Sequence, residues 1–386
     1  MRFNKKKFFR NFIFFILFVT LVVLGVYLWK VPEARENIYS YYSDLVASFG
    51  NEELVTVQEV FSLPYDPAIQ TNIAPGKDGI LVINKSGISE YTTSKNPVWV
   101  KELNISNPLI ATDGDKFVIS ETDGKKIMYF NNRTMLWEKE CQGAVNKVYV
   151  NNLGYVGVIF SQVGYKSGFL FLDPIGNEIC TKLFAKTTLV DVDISPKGDL
   201  VAMIEVDTTT ATLSSAISFM SNKGEIVYSS IENDSLLAGI RFLDNTNVVA
   251  VGDNKLIKID KNYNKTLLDD FSDKTVSGIN LENTDKIIKV YRTANSIFAE
   301  KSTIDVLNIN NKKTGTGEVA GAVKAVESSG RTIAIVLADR IDFFDISGRY
   351  LNSLAISGNY KSIKLFNSGD YACIDMSDML KVVKVR

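Results

Sequence analysis

Short apolar segments alternate with polar turn segments along most of the chain, from residue 56 to residue 386. The apolar segments are rich in Val, Ile, Phe and Tyr, and clusters of Gly, Asn, Asp and Ser separate them. No long segment in this region shows apolar residues at the spacing of about 3.6 positions that is typical of an amphipathic helix. The pattern predicts a domain of β-strands joined by tight turns.

Residues 193–205 contain the clearest copy of a unit that recurs along the chain. Ser195, Pro196, Lys197 and Gly198 form its predicted turn, because proline presets φ and glycine adopts conformations that other residues avoid. Related turns are found at residues 75–79, 113–115, 151–154, 244–247, 282–285, 328–330 and 367–369. An apolar strand follows each turn, and several units contain a second hairpin.

The units recur about every 40 residues, a period typical of four-stranded propeller blades, whose strands we name a to d from inside to outside. Residues 56–63 have the pattern of a d strand with no strands a to c before them, and residues 381–386 form a c strand at the chain end. Pairing of these segments would close an all-β, eight-bladed β-propeller over residues 56–386. A seven-bladed ring is the alternative, since the unit at residues 69–104 is the least regular.

An uncharged apolar segment precedes the repeats at residues 12–29. As a helix it would be about 27 Å long, which matches the hydrocarbon core of a bilayer. The residues before it include several Lys and Arg and no acid, so residues 1–11 are predicted as a cytoplasmic tail and residues 12–31 as a transmembrane helix. The C-terminal domain would then lie outside the cell membrane.

A cleaved signal peptide is the alternative for this segment, but no small-x-small cleavage motif follows it. Residues 32–55 are predicted as a juxtamembrane linker with an amphipathic helix, whose apolar positions are Ile38, Tyr42, Leu45, Val46 and Phe49. This helix would pack on the domain or lie on the bilayer, with dimerisation as the alternative.

Composition excludes several function classes. Lys plus Arg number 43 against 44 Asp plus Glu, a net charge of −1 that does not favour nucleic-acid binding. No histidine is present, so His-dependent triads and imidazole metal ligands are excluded. Cys141, Cys180 and Cys373 are far apart and are predicted as core residues in strands. A Cys141–Cys180 disulfide is the alternative.

No residue pattern specifies a catalytic, cofactor or metal site. The acidic pairs lack a twelve-residue calcium loop, so we expect them to solvate turns; they are Asp113, Asp115, Asp191, Asp193 and Asp199. Residues 315–319 are glycine-rich but lack the lysine and following helix of a phosphate-binding loop.

Through the turn at residues 195–198 and its relatives, the repeats resemble β-propellers of the WD40-like, TolB-like and pyrroloquinoline-quinone-type classes. One anchor followed by such repeats also resembles an uncharacterised membrane-anchored domain family of low-GC Gram-positive bacteria. The Trp-Asp dipeptides of WD40 blades and the docking tryptophans of quinone-type blades are absent. The resemblance therefore implies a fold and transfers no functional residue.

Three connections between strands b and c are longer than the others, at residues 162–167, 208–215 and 293–301. Such connections share one rim of a propeller, so Tyr165, Ile297 and Phe298 are candidates for contact with a partner. Local packing of these side chains is the alternative.

We expect a membrane-anchored, extracytoplasmic, non-enzymatic scaffold that binds a protein or an envelope polymer. The alternative is a cell-envelope glycan hydrolase or lyase with paired carboxylates at the channel.

Overall fold

Eight antiparallel sheets surround one axis in the part of the chain that the structure describes. This structure is a computed structural model that describes residues 57–209, 214–282, 286–295, 300–356 and 360–386. Its 32 strands form eight four-stranded sheets, and neighbouring sheets contact one another, in seven of the eight cases through their innermost strands. The prediction of an eight-bladed β-propeller is confirmed, and the seven-bladed alternative is wrong.

The first seven blades are formed by strands a to d in chain order, with each strand paired to the next. Blade 1 contains β2 (Asn72–Pro75), β3 (Ile80–Asn84), β4 (Gly87–Tyr91) and β5 (Trp99–Glu102), and blade 2 contains β6 (Pro108–Asp113), β7 (Lys116–Glu121), β8 (Lys126–Asn131) and β9 (Thr134–Glu140). Blade 3 contains β10 (Ala144–Val150), β11 (Val156–Ser161), β12 (Ser167–Leu172) and β13 (Glu178–Phe184), and blade 4 contains β14 (Thr187–Ile194), β15 (Leu200–Asp207), β16 (Ser214–Ser221) and β17 (Ile226–Glu232). Blade 5 contains β18 (Leu237–Phe242), β19 (Val248–Gly252), β20 (Lys255–Ile259) and β21 (Lys265–Asp270). Blade 6 contains β22 (Val276–Asn280), β23 (Lys286–Asn295), β24 (Glu300–Asn308) and β25 (Lys313–Ala320). Blade 7 contains β26 (Ala325–Ser329), β27 (Thr332–Val336), β28 (Arg340–Asp345) and β29 (Tyr350–Ala355).

The eighth blade combines the two ends of the domain. Its inner strands are β30 (Ser362–Leu365), β31 (Tyr371–Asp375) and β32 (Met379–Lys384), and its outer strand is β1 (Gln58–Pro64). β1 pairs antiparallel with β32 from Gln58 opposite Lys384 to Pro64 opposite Met379, with a bulge between Glu59 and Phe61. The first strand of the domain is therefore hydrogen-bonded to the last.

The core lies between blades, because a blade can bury its apolar faces only against its neighbours. Every residue of β12 is buried. Phe169 and Phe171 of β12 pack with Val192 and Met203 of blade 4 in one apolar cluster. Equivalent clusters connect other blades, including one that joins Phe61 of blade 8 to blade 1.

The turn at residues 195–198 is structural. Gly198 has φ +69°, and a Cβ atom there would lie 2.2 Å from the ring of Tyr155, so a larger residue does not fit. Ser195 Oγ accepts hydrogen bonds from the backbone N–H groups of Asp199 and Leu200. Asn151 Nδ2 donates to Ser195 O at 2.8 Å, so the turn also connects blade 4 to blade 3.

All three cysteines are free thiols, which contradicts the disulfide alternative. Cys180 lies in β13 and Cys373 in β31, as expected, whereas Cys141 follows the end of β9. Cys141 and Cys373 are buried in apolar clusters. Burial raises the pKa of each thiol, which disfavours the reactive thiolate.

The predicted cytoplasmic tail, transmembrane helix and juxtamembrane helix, at residues 1–11, 12–31 and 32–55, lie outside the described residues. Across the ranges that are described, no helix has the length and apolar character needed to cross a membrane.

We expect Phe61→Ala to lower the free energy of unfolding by about 3 kcal/mol, because the buried ring of the outer strand in blade 8 packs against blade 1. Urea unfolding followed by tryptophan fluorescence measures the change. Ser62→Ala is the control, since its hydroxyl group bonds only the adjacent Glu59 on the surface. Equal stability of both variants would show that β1 does not close the ring in solution.

Candidate functional site

The connection between β11 and β12 exposes two apolar side chains on one rim of blade 3. Val163 is 96% exposed and Tyr165 is 44% exposed. The loop itself is ordered by hydrogen bonds from Tyr165 N to Gln162 O at 3.0 Å and from Lys166 N to Phe184 O at 2.8 Å. A fixed backbone thus presents side chains that have little contact with the domain, as a contact surface requires.

Tyr165 is the one predicted contact residue that the structure places. Ile297 and Phe298 lie outside the described residues, so their distance from Tyr165 stays a prediction. Val163 was not predicted as a contact residue from the sequence, although a valine beside a glycine in a long loop indicates an exposed apolar side chain.

The inner strands of blades 3 to 8 carry a ring of polar side chains at one equivalent position, which we call the channel belt. Each member pairs with the second or third residue of its neighbouring b strand, which defines the equivalence. The members are Tyr149, Asp193, Arg241, Asn280, Glu327 and Lys364. In blade 2 the equivalent residue is Ala111, so the belt is open on that side.

One half of the belt is organised around Arg241. Its guanidinium group donates to Asp191 Oδ2 at 3.0 Å and to Ile240 O at 2.7 Å. Asp191 also accepts from Ile240 N and from the hydroxyl group of Tyr149, both at 3.0 Å. Asp193 accepts from Phe242 N at 2.6 Å. The two carboxylates therefore tie the inner strands of blades 3, 4 and 5 together.

These contacts correct the expectation that Asp191 and Asp193 solvate a turn. Both lie within β14, and Asp191 is only 7% exposed. Burial raises the pKa of Asp193 to about 6 even though Arg241 and Phe242 N favour its ionised form. Asp199 does bond within its turn, to Ser195 Oγ at 2.7 Å.

The other half of the belt contains two carboxylates and one ammonium group. Lys364 Nζ lies 2.9 Å from Glu327 Oε1 and 3.4 Å from Glu282 Oε1. Glu282 follows the end of β22, so the cluster joins blades 6, 7 and 8. The side chains of Glu282, Glu327 and Lys364 are 49%, 19% and 25% exposed, so the cluster borders solvent.

The two carboxyl groups differ strongly in proton affinity. Burial of the carboxyl group and the negative charge of Glu282 raise the pKa of Glu327 to about 8. The charge of Lys364 and a hydrogen bond from Glu327 overcome the cost of burial and hold the pKa of Glu282 below its ordinary value. Glu327 therefore holds its proton more tightly than Glu282 does, a difference typical of neighbouring carboxyl groups.

Both carboxyl groups contact the same ammonium group, Lys364 Nζ. These contacts do not bear on the glycan-hydrolase alternative, which stays a prediction.

The channel belt was not predicted from the sequence, because its residues are far apart in the chain. Aligning the repeats on their turns would have revealed it, since Tyr149, Asp193 and Asn280 each precede the first turn residue by two positions. Across the described ranges, no group of three or more Cys, Asp or Glu side chains is arranged to hold a metal ion.

The fold defines this protein as a β-propeller, and three solved propellers are similar to it. For BamB from Moraxella catarrhalis the TM-score is 0.52 at 16% identity, over 86% of this chain and 98% of that one. For the C-terminal WD40 domain of Sif2 it is 0.56 at 13% identity, over 87% and 98%. For the β-propeller domain of Cps50 (Swd1) from Myceliophteria thermophila it is 0.52 at 8% identity, over 86% and 100%. Such identities show a shared fold alone.

The chain belongs to a family of unknown function (DUF5711), which it matches over residues 60–383. Comparison with curated proteins gives no match. The expected likeness to WD40-like propellers is confirmed, whereas membrane anchoring and a low-GC Gram-positive origin stay predictions.

We expect Glu327→Gln to reduce the loss of stability between pH 6.5 and 8.5. Because the pKa of Glu327 is about 8 in the folded state and 4.5 ordinarily, the folded state retains a proton that the unfolded state releases. Stability therefore falls as pH rises toward 8 in the natural protein, by about 1 kcal/mol more than in the variant over this window. Asp193, at about 6, and Glu282 titrate below the window.

Thermal unfolding at several pH values tests this prediction. The matched control is Glu318→Gln, since Glu318 is 60% exposed on an outer strand. Parallel pH profiles for the natural protein and Glu327→Gln would show that Glu327 does not retain the proton.

Proposed function

We propose that this protein is a membrane-anchored β-propeller that lies outside the cell membrane and acts as a non-enzymatic scaffold, binding a protein or an envelope polymer through the rim of blade 3. The main support for the proposal is the loop at residues 162–166, whose backbone is hydrogen-bonded and whose side chains Val163 and Tyr165 are exposed. An apolar side chain in water is tolerated singly, but two within three residues of a hydrogen-bonded loop favour a contact surface.

The closed ring supports a scaffold role. Each blade is buried by its neighbours, and β1 is hydrogen-bonded to β32, so the rim has a fixed geometry before any partner arrives. A preorganised surface loses little conformational entropy on binding. The rim can therefore bind a partner without prior folding of the loop.

The charge of the protein limits the class of partner that it can bind. The chain has a net charge of −1, and the two cationic residues of the channel belt, Arg241 and Lys364, each contact an acidic side chain. These charges do not favour nucleic-acid binding. A loop with one aromatic side chain, one aliphatic side chain and a single lysine suits a protein surface or a polymer with apolar groups.

The anchor part of the proposal rests on residues 12–31, which are long and apolar enough to span a bilayer, and on the basic residues before them. With the N-terminus in the cytoplasm, the linker at residues 32–55 would hold the propeller close to the outer membrane surface. The protein would then be a single-pass protein of the cell membrane.

We expect the double variant Val163→Ser, Tyr165→Ser to lose most partner recovery after cross-linking in cells, because both exposed apolar side chains are removed. Ile175→Ser is the matched control, since Ile175 is 75% exposed on the opposite rim of the same blade. Quantitative mass spectrometry of cross-linked complexes measures recovery, and thermal unfolding checks the fold. Recovery that is unchanged in the double variant, or equally reduced in the control, would contradict the assignment of this rim.

Deletion of residues 12–29 should release the protein from the membrane fraction, because the apolar segment supplies the membrane affinity. In the natural protein, protease added to intact spheroplasts should degrade the propeller. Deletion of residues 36–49 is the control and should leave the protein in the membrane. Retention after the first deletion, or protection from protease, would contradict the anchor or its orientation.

A further inference from the structure

The rim that carries the a–b and c–d turns has two exposed apolar side chains on blade 3. Leu153, between β10 and β11, is 49% exposed, and Ile175, between β12 and β13, is 75% exposed. The loop of Tyr165 lies on the opposite rim, because the b–c connections join the other ends of the strands. The two side chains are therefore separate from the partner surface on that loop.

Hydrogen bonds fix the backbone of both turns. Asn151 Oδ1 accepts a hydrogen bond from Leu153 N at 3.1 Å, and Asp173 Oδ1 accepts one from Ile175 N at 3.0 Å. Each apolar side chain thus lies at the tip of a turn that its neighbours hold in place. The exposure of Leu153 and Ile175 belongs to the folded domain itself.

The two turns also contact each other and blade 2. A Cβ atom on Gly154 would lie 3.4 Å from Pro174 Cβ, and Trp137 Nε1 of β9 donates to Pro174 O at 3.1 Å. Further exposed apolar residues lie near the start of the outer strands of blades 2 and 4, at the same rim. We call the whole set the apolar rim; its members are Met135, Leu136, Leu153, Ile175, Ile226 and Val227.

Ile175 differs from its counterparts in other blades. In blades 3 to 7 the first residue of the c–d turn donates its N–H group to the carbonyl group four positions later. Its side-chain oxygen accepts a hydrogen bond from the residue two positions later, which in blades 4 to 7 is Lys223, Asn262, Asn310 and Ser347. A polar residue therefore satisfies this turn. The isoleucine of blade 3 is not required by the fold, and its exposure favours contact with an apolar medium.

The chain enters the domain at the apolar rim. Gln58, the first residue of β1, pairs with Lys384, the last residue of β32. β32 is the c strand of blade 8, so its end lies at the rim of the c–d turns. Val57 directly precedes β1 and therefore lies at this rim as well. Only residues 32–56 separate it from the proposed membrane span at residues 12–31.

This connection favours the lipid bilayer as the medium that covers the apolar rim. Residues 32–56 reach at most about 85 Å when fully extended, so the rim stays close to the membrane. Two side chains alone give weak membrane affinity, because binding scales with the apolar area that is buried. A tether makes the contact intramolecular, and a weak contact can then form.

We propose that the apolar rim faces the membrane and that Leu153 and Ile175 insert into the outer leaflet of the bilayer. The inference rests on the anchor of the proposed function and adds the orientation of the propeller. The loop of Tyr165 then points away from the membrane, where a partner can reach it.

Fluorescence quenching in vesicles tests this orientation. The full-length chain with Ile175→Cys is labelled with nitrobenzoxadiazole and reconstituted in phosphatidylcholine and phosphatidylglycerol, with or without lipids that are spin-labelled near the headgroup. We expect these lipids to remove most of the fluorescence, because the label lies at the boundary of headgroups and acyl chains. Val163→Cys is the matched control, since Val163 is 96% exposed on the opposite rim, and it should keep its fluorescence. The natural protein gives the background from its own cysteines.

A second measurement removes the proposed contact and keeps the reporter elsewhere. A label at Leu136→Cys should lose several-fold of its quenching when Leu153→Ser and Ile175→Ser are added, because the inserted side chains are lost. Val163→Ser with Tyr165→Ser is the control and should leave the quenching unchanged. Thermal unfolding checks the fold of each variant. If the double variant at the turns fails to fold, the labels at residues 175 and 163 decide the test.

Vesicle flotation distinguishes failure of this inference from failure of the anchor. Protein that does not float with the vesicles would contradict the anchor and, with it, the inference. Protein that floats, but whose label at residue 175 is quenched no more than the label at residue 163, would overturn the inference alone. A label at residue 175 that is shielded from aqueous iodide but not quenched by the lipids would also overturn it, and would indicate a protein contact instead.

Discussion

Closure of the ring is the constraint on which the rest of this structure depends. A four-stranded blade cannot bury both of its faces alone, so each of the eight blades needs a neighbour on both sides. The first and last blades obtain theirs only because β1, from the start of the domain, pairs with β32 at its end. Phe61 then completes an apolar cluster between blades 8 and 1.

Convergence of the inner strands explains the channel belt. Strands that approach a common axis bring one side chain from each blade close to its neighbours, and solvent reaches them from the channel. Acidic and basic side chains therefore lie beside one another there, as with Asp193 beside Arg241 and Glu327 beside Lys364. These contacts join different blades, so they resist separation of the blades.

Much of the fold could be predicted from local patterns. Proline and glycine in the turn at residues 195–198 and the apolar run after it form a unit that depends only on nearby residues, and its recurrence indicates eight blades. The loop of Tyr165 could be predicted in the same way, because a longer connection is a local feature. By contrast, Asp191 and Asp193 were misassigned, since their partners are the backbone and side chain of residues 240–242, nearly 50 positions away.

The sequence by itself determined the class of fold and the segment expected to cross the membrane, because turn chemistry, strand alternation and continuous apolarity are properties of neighbouring residues. The choice between seven and eight blades needed the structure. Only the tertiary structure decided which polar groups meet. It placed Glu282 and Glu327 beside the same ammonium group, Lys364 Nζ, and it brought Asp191 to Arg241. These outcomes depend on distances across blades, which no spacing along the chain encodes.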